Sequence, residues 1–511
     1  MFLDSFSAAW QMMLGLDDTL VHIVLLSLAL SGLACLLACV LGISSGAWLA
    51  LVDFKGRSAL ITLLNTALAL PSVVVGLVVY LLLSHSGPLG FLGWLFSFKA
   101  MVVAQTILVL PVVIALTRQL IASADNLQGE GLRALGAGKT VRGLLLVWNE
   151  RFALMTVVLT GFGRAVSEVG AVMVVGGNIE GFTRVMTTAI ALETSKGDLP
   201  MALALGMVLL GVVLVLNAAV SALAQWGGNS LALPAASNLS AQPTPINATP
   251  ATTHPAMSSF SPKAKVPTGQ VMLSFNNVNV SLKADNAGTR AVPVLHNIHF
   301  SLCEGERVAL VGANGCGKTT LMRTIAGLVP IASNQSNMQW VQPCKTVLLA
   351  QAPKLLRLSV ANHVRLAAWL AGDTWQQAAT TAQEALKHLG IAYLSPLSAV
   401  TLSVGQSQRV ALAQCLASRS HVLLLDEPTA SLDPHAKREV ESVVHSLVTH
   451  TGGPSLVFAS HNLGQVKRLA TRVIYILNGR IEADLPVQAF FDTHRVSPLP
   501  LVDMFLRGEL S

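Results

Sequence analysis

Hydrophobic positions are unevenly distributed along the chain. Long uncharged apolar runs fill residues 20–226, whereas the residues after 262 alternate between charged and apolar positions as an ordinary soluble domain does. A membrane-spanning helix needs about 20 mostly apolar residues. The first part therefore predicts about five spans, at residues 20–51, 59–83, 101–116, 152–175 and 201–224. Pro111 lies inside the third span, where neighbouring helices can satisfy the carbonyl group that proline leaves free.

A polar segment separates the two parts. Residues 227–268 are rich in Pro, Ser, Thr, Ala and Asn, which predicts a flexible linker without a core of its own. The predicted organisation is a transmembrane domain at residues 1–226, this linker, and a second domain at residues 269–511.

Composition supports a membrane protein and argues against a nucleic-acid partner. Of the 511 residues, 52% are hydrophobic and only 12% are charged, against roughly a quarter charged in soluble proteins. The net charge of +7 comes from scattered basic residues rather than from a basic face. We therefore expect the lipid bilayer as a partner and no nucleic acid.

Basic residues in short loops predict the orientation. Lys55 and Arg57 follow the first span, and a larger group that includes Arg133 and Lys139 follows the third. Because lysine and arginine mark the cytoplasmic side, the N-terminus is predicted outside and the second domain in the cytoplasm. The chain is then a multi-pass protein of the cytoplasmic (inner) membrane.

Residues 312–320 read G-A-N-G-C-G-K-T-T and lie between a predicted strand and a predicted helix. This pattern is typical of a phosphate-binding loop, in which backbone N–H groups surround the phosphates. Lys318 would neutralise the β- and γ-phosphates, and Thr319 would offer a hydroxyl to Mg²⁺. The motif predicts ATP and Mg²⁺ as cofactors. The predicted nucleotide-binding residues are Gly312, Ala313, Asn314, Gly315, Cys316, Gly317, Lys318, Thr319 and Thr320.

A second apolar strand, at residues 422–425, ends in Asp426 and Glu427. Strand ends of this kind deliver carboxylates to the edge of a parallel sheet where ligands bind. Asp426 suits the magnesium shell, and Glu427 suits the base that polarises the attacking water.

Further motifs follow in a fixed order. Residues 402–410 read L-S-V-G-Q-S-Q-R-V, and His461 follows an apolar strand. With these motifs, the chain from about residue 270 resembles the ATPase domain of ABC transporters. The resemblance implies an α/β P-loop fold and ATP hydrolysis coupled to transport. It makes Gln351 the Q-loop glutamine that senses Mg²⁺ and the γ-phosphate, His461 the switch histidine, and residues 431–433 the D-loop.

The same resemblance implies a composite site. Ser403, Gly405 and Gln406 of the signature would contact the nucleotide of a second ATPase domain, so a homodimer of this chain is expected. Val404 replaces a glycine of the usual signature, which puts the rate of closure or hydrolysis in question. No aromatic residue stands at 280–282, where one usually stacks on adenine, so we expect weaker base stacking.

The cytoplasmic loop at residues 130–142 reads E-G-L-R-A-L-G-A-G-K-T-V-R. It resembles the coupling loop of ABC import permeases, with Glu130 and Gly136 at the matching spacing. The resemblance implies short helices that dock on the ATPase near its Q-loop, and it favours import. An ordinary amphipathic cytoplasmic loop is the alternative.

Residues 20–224 resemble the permease of tungstate importers, within the molybdate and sulfate group of type I ABC importers. The segment 161–194 is the closest part. The resemblance implies a tetrahedral dianion delivered by an extracytoplasmic oxyanion-binding protein. Arg164 and Glu168 lie one helical turn apart, and intramembrane charges indicate either a pathway or a structural ion pair. The candidate path residues are Arg164, Glu168, Thr187 and Thr188.

The predicted function is ATP-driven import of an oxyanion, with tungstate as the first candidate. Import of molybdate, sulfate or another anion is one alternative. An ATP-gated channel or a regulatory ATPase without uphill transport is the other.

Overall fold

The computed structural model divides the chain into two compact units, Met1–Asn126 with Lys139–Asn247, and Leu127–Gly138 with Ala248–Ser511. The structure describes residues 2–15, 17–226, 269–283, 291–331, 337–341, 344–430, 432, 434–449, 453–492 and 500–506. The predicted linker at 227–268 lies outside the described residues.

The first unit is built from helices. They are α1 (Phe2–Leu14), α2 (Asp18–Leu51), α3 (Arg57–Leu68), α4 (Ser72–Leu83), α5 (Phe98–Ala134), α6 (Lys139–Asn149), α7 (Arg151–Val166), α8 (Gly170–Gly176), α9 (Met186–Lys196) and α10 (Leu199–Trp226). Asp17 caps α2, because its Oδ1 accepts hydrogen bonds from the backbone N–H groups of Thr19 and Leu20.

Length and apolar composition identify three of these helices as long enough to cross a membrane, namely α2, α5 and α10. Two bent pairs, α3 with α4 at 103° and α6 with α7 at 75°, raise the number to five if each pair is one span. The prediction of about five spans agrees with this upper value for the described residues. Helix α5 continues through Pro111 as expected.

Two predicted spans are not single helices, which corrects the prediction. The run 59–83 breaks before Pro71, which lacks a backbone N–H and is disfavoured inside a helix. The run 152–175 breaks between α7 and α8, where Glu168 Oε1 accepts hydrogen bonds from the N–H groups of Gly170 and Ala171. A carboxylate that satisfies the first N–H groups of α8 starts a new helix there.

The second unit contains an α/β layer and an antiparallel layer. Its strands are β1 (Val271–Lys283), β2 (Ala291–Cys303), β3 (Arg307–Val311), β4 (Asn337–Trp340), β5 (Thr346–Leu349), β6 (Val422–Asp426), β7 (Ser455–Ala459), β8 (Arg472–Leu477) and β9 (Arg480–Pro486). Its helices are α11 (Lys318–Ile325), α12 (Val360–Leu370), α13 (Trp375–His388), α14 (Val404–Ala417), α15 (Pro434–Thr449), α16 (Leu463–Leu469), α17 (Val487–Phe491) and α18 (Pro500–Leu506).

The larger sheet positions the candidate site. Its strand order is β5-β6-β7-β3-β8-β9, with parallel pairing from β5 to β8 and an antiparallel last strand. Strands β6 and β7 are buried along their whole length, which agrees with their uninterrupted apolar sequences. Because parallel strands end at one edge, the segments after β3, β5, β6 and β7 meet there.

Candidate ATP site and coupling segment

The phosphate-binding loop follows β3 and opens α11, as the sequence predicts. Gly312 has φ +152°, and a Cβ atom there would lie 2.2 Å from the carbonyl oxygen of Ile476, so only glycine fits without displacing backbone. Lys318 Nζ donates to the carbonyl oxygens of Gly312 at 2.8 Å and Ala313 at 2.9 Å. The ammonium group of a buried lysine is thereby held at the loop.

Two predicted magnesium ligands, Thr319 of α11 and Asp426 at the end of β6, are in contact. Thr319 Oγ1 donates to Asp426 Oδ2 at 2.8 Å. Burial is the main cause that raises the pKa of Asp426 above its usual range. An oxygen donor set of one hydroxyl and one partly desolvated carboxylate fits Mg²⁺, because a cation offsets the cost of burying that charge.

Glu427 brings two other predicted residues together. Its Oε2 accepts from Gln351 Nε2 at 3.1 Å, and its Oε1 lies 2.8 Å from His461 Nε2. Glu427 has φ +46°, a left-handed conformation that is uncommon outside glycine. The backbone at the end of β6 thus turns sharply and presents the carboxylate between the segments that follow β5 and β7.

The signature residues form a helix start. Ser403 caps α14, since its Oγ accepts from the N–H of Gln406 and Gln406 Oε1 accepts from the N–H of Ser403. Val404, the departure from the usual signature, is the first residue of this helix and its side chain is 56% exposed. In the part of the chain that the structure describes, no hydrogen bond joins these residues to the phosphate-binding loop.

Two other predictions concern the margins of the site. Leu282, where an adenine-stacking aromatic residue is usual, pairs with Val292 across the β1–β2 ladder, so an aliphatic pair stands there. Of the predicted D-loop, Leu432 is described and buried, whereas Ser431 and Asp433 lie outside the described residues.

Residues 127–138, which hold most of the predicted coupling loop at 130–142 and are called the coupling segment below, belong to the same compact unit as the ATP site. Glu130 Oε2 accepts from Arg323 Nη2 at 2.9 Å. Gly136 has φ +90° and follows the end of α5, where the N–H of Ala137 bonds to the carbonyl oxygen of Leu132. This positive-φ glycine turns the chain out of the helix in the manner of a helix C-cap.

Arg323 is a residue that the sequence reasoning missed. It is the only basic residue of α11 apart from Lys318, so an isolated charge on the helix after the phosphate-binding loop was the available signal. One cavity of about 380 Å³ is lined both by the Glu130–Arg323 pair and by residues of the ATP site. The ATP-site residues in its lining include Thr319, Gln351 and Asp426.

The four candidate path residues of the membrane unit have different surroundings, and their place on a path stays a prediction. Arg164 is exposed, and among the described residues no ion pair joins it to Glu168, so the structural alternative of an Arg164–Glu168 pair is not formed. Thr187 Oγ1 donates to the carbonyl oxygen of Glu168 at 2.8 Å. Thr188 is fully buried, and its hydroxyl bonds to the backbone of Val185 at the start of α9. Thr188 therefore has a local structural partner.

Two other arginines of this unit make ion pairs that the sequence did not predict. Arg142 Nε lies 2.9 Å from Asp125 Oδ1, with side chains 8% and 17% exposed. Arg184, whose side chain is 12% exposed, lies 3.4 Å from the exposed Glu180 and 3.8 Å from the buried Glu193. Arg142 and Asp125 belong to different helices, so helical spacing does not reveal their pairing.

Both halves of the chain are similar to known proteins. Residues 295–430 match the family described as ABC transporter. The tungstate uptake system permease protein of Peptoclostridium acidaminophilum is 40% identical over 220 residues, which cover 43% of this chain and 96% of the relative. The aliphatic sulfonates import ATP-binding protein of Pseudomonas fluorescens is 36% identical over 197 residues, covering 38% of this chain and 72% of that relative.

This chain belongs to the ABC transporter family. It is a membrane protein whose permease half and ATPase half share one polypeptide, and its ATPase half hydrolyses ATP in a reaction coupled to transport. A second relative of the permease half is a probable anion ABC transporter permease protein of Haloferax volcanii, 42% identical over 204 residues that cover 39% of this chain and 88% of the relative.

Proposed function

We propose that this ABC transporter uses ATP to import an oxyanion, with tungstate as its first candidate substrate. The observation that carries the substrate class is the likeness of the permease half to the tungstate uptake permease, which the chain covers over 96% of its length. The Haloferax volcanii relative, named as an anion permease, supports an anionic substrate.

The proposed chemistry assigns a role to each residue at the sheet edge. Lys318 binds the β- and γ-phosphates, and the backbone N–H groups of residues 313–320 surround them. Glu427 polarises the attacking water. Gln351 and His461, which both contact the Glu427 carboxylate, hold it in position and respond to the γ-phosphate. A group that is fixed from two sides loses little freedom when the reaction begins.

Mg²⁺ would be held by Thr319 and Asp426, with Gln351 within reach of the same cavity. When bound, the ion would neutralise charge on the β- and γ-phosphates. The hydrogen bond from Thr319 to Asp426 fixes the direction of the carboxylate, and the burial of Asp426 favours a cationic neighbour.

Dimerisation follows from the signature. Ser403, Gly405 and Gln406 lie at the exposed start of α14, where the dipole and free N–H groups suit an anion. We propose that they contact the γ-phosphate of a second copy of this chain, so that the working unit is a homodimer with two composite sites.

The coupling step is assigned to Glu130. Its ion pair with Arg323 links the permease segment to the helix that begins with Lys318 and Thr319. Movement of that helix on ATP binding would be passed to the permease through this pair. The basic loops support an orientation with the N-terminus outside and the ATPase half in the cytoplasm. In that orientation, an extracytoplasmic binding protein would deliver the anion.

Two observations support other candidates. The ATPase half is similar to import ATP-binding proteins named for sulfonate and for sulfate or thiosulfate, which favours a sulfur oxyanion. The exposed Val404 in the signature favours an ATP-gated channel, because a slow closure step would weaken uphill transport.

Radiolabelled tungstate uptake by cells that carry the native gene, or its Lys318→Ala variant, tests the proposal. We expect accumulation only with Lys318, and stronger inhibition by unlabelled tungstate than by molybdate or sulfate. Equal uptake in both strains would contradict a pump, and stronger inhibition by sulfate would contradict tungstate as the substrate.

A further inference from the structure

The Q-loop, residues 351–358, connects β5 to α12. It is bonded to α14 directly at its beginning and through His363 of α12 at its other end. At the beginning, Gln408 Nε2 donates to the carbonyl oxygen of Gln351 at 3.3 Å. At the other end, His363 Nε2 lies 3.0 Å from the carbonyl oxygen of Leu356. Gln414 of α14 in turn holds His363, with its Nε2 at 3.2 Å from both the ring Nδ1 and the backbone oxygen.

His363 and Gln414 form one buried hydrogen-bond network at the end of the Q-loop, and Gln408 of the same helix as Gln414 holds its beginning. We name these three buried side chains the Q-loop clamp (His363, Gln408 and Gln414). They are 2%, 1% and 7% exposed, respectively. Burial lowers the pKa of His363 to about 4, so the ring is neutral at physiological pH. A neutral ring that donates from Nε2 to Leu356 accepts at Nδ1 from Gln414, so the donors and acceptors match.

Backbone hydrogen bonds strengthen the same attachment. The N–H of Ala399 bonds to the carbonyl oxygen of Leu358 at 2.9 Å, and the N–H of Val360 bonds to that of Leu397 at 3.0 Å. Residues 397–399 lead directly into the signature at residue 403. The end of the Q-loop is therefore tied both to the helix that begins at the signature and to the segment before it.

We propose that His363, Gln408 and Gln414 are positioning residues that make the Q-loop and the signature helix of one chain move as one body. This inference rests on the proposed homodimer. The Q-loop contacts the Glu427 carboxylate of its own chain, whereas the signature serves the site of the partner. A rigid link between them transmits ATP binding at one composite site to the other, which makes the two sites cooperative.

The test is the ATP dependence of hydrolysis by the purified full-length transporter in nanodiscs. For the native chain we expect a Hill coefficient between about 1.5 and 2, since two coupled sites allow at most about 2. Gln414→Met removes both donors at similar length and is expected to lower the coefficient to about 1. ATP affinity, measured in a Glu427→Gln background, should change less than about twofold for Gln414→Met.

Gln383→Met is the matched control, because Gln383 is an exposed glutamine on the neighbouring helix α13. It should leave the Hill coefficient at the native value. If Gln414→Met does not fold, Gln414→Leu also removes the donor to the backbone oxygen of His363, with a branched apolar side chain. His363→Leu combined with Gln414→Met should have no larger effect than either change alone, because both break one network.

The outcomes separate this inference from the proposed function. A cooperative native protein with an equally cooperative Gln414→Met variant would overturn the clamp and leave the homodimer intact. A native Hill coefficient of about 1 would overturn the coupled composite sites, and the clamp with them. Loss of cooperativity together with loss of ATP affinity would assign Gln414 to folding of the site and would also overturn the inference.

Discussion

The ATPase half and the membrane half differ in how directly a motif in sequence becomes a site in space. In the ATPase half, four separate segments meet because parallel strands deliver their ends to one edge of the sheet. Thr319 is hydrogen-bonded to Asp426 there, and Gln351 and His461 each contact Glu427. In the membrane half, the candidate residues were chosen because they are charged or carry a hydroxyl group. Glu168 and Thr188, however, accept hydrogen bonds from backbone N–H groups at the starts of α8 and α9. Sheet topology fixes neighbours, whereas an apolar run leaves helix breaks and rotations undetermined.

We expect the greatest loss of ATP hydrolysis from a change at Glu427, the proposed catalytic base of the ATPase half. Glu427→Gln keeps the shape of the side chain and removes its basicity, so we expect ATP hydrolysis to fall by a factor of about 10² or more. Phosphate release by the purified transporter measures it. Retained ATP binding is the control, and hydrolysis within about threefold of the native rate would show that Glu427 is not the base.

The next effect concerns the link at Glu130. Arg323→Ala or Glu130→Ala removes one member of a partly exposed ion pair, and we expect uptake to fall by about tenfold while ATP hydrolysis is retained. The charge reversal Glu130→Arg with Arg323→Glu should restore part of the uptake. The exposed Arg133→Ala serves as a control on the same segment. Equal loss in the reversed pair and the single variants would argue against the contact.

A smaller effect separates path residues from structural ones in the membrane half. Arg164 is exposed and unpaired with Glu168, so Arg164→Gln should lower tungstate uptake by several-fold and leave the melting temperature unchanged. Thr188→Val removes a buried hydroxyl that bonds to the Val185 backbone, so it should lower the melting temperature. The opposite pattern would place Thr188, and not Arg164, on the path.

The smallest effect is a pH dependence of stability. The folded-state pKa of His363 is lowered to about 4 from 6.5, so its contribution is complete above pH 6.5 and is lost as the pH falls through 4. This lowering of the pKa corresponds to a free energy of unfolding on the order of 3 kcal/mol. Melting curves from pH 7.5 to 4 should decline less steeply for His363→Gln. Identical slopes would contradict a buried neutral histidine.

The fold around the phosphate-binding loop could be predicted from the sequence because that motif carries its own structural context. The phosphate-binding loop requires a strand before it and a helix after it, and the structure has both at Val311 and Lys318. Arg323, His363 and Gln414 were not predicted, because each acts through a partner that is distant in sequence, such as Glu130 for Arg323. The membrane breaks at residues 69–71 and 167–169 depend on Pro71 and on the Glu168 side chain, and hydropathy averages over both.

The proposed function requires this single chain to couple ATP hydrolysis to oxyanion import. The most direct measurement follows the tungstate content of the lumen and phosphate release together in inverted membrane vesicles, in which the outer side of the cell membrane faces the lumen. These vesicles carry the native chain and are loaded with the periplasmic proteins of the same cells, among which the proposed oxyanion-binding protein is expected. The account predicts ATP-dependent tungstate loss from the lumen to the medium against an opposing gradient, and no such loss with Glu427→Gln. Movement of tungstate only down its gradient, or movement that is unchanged in that variant, would contradict it.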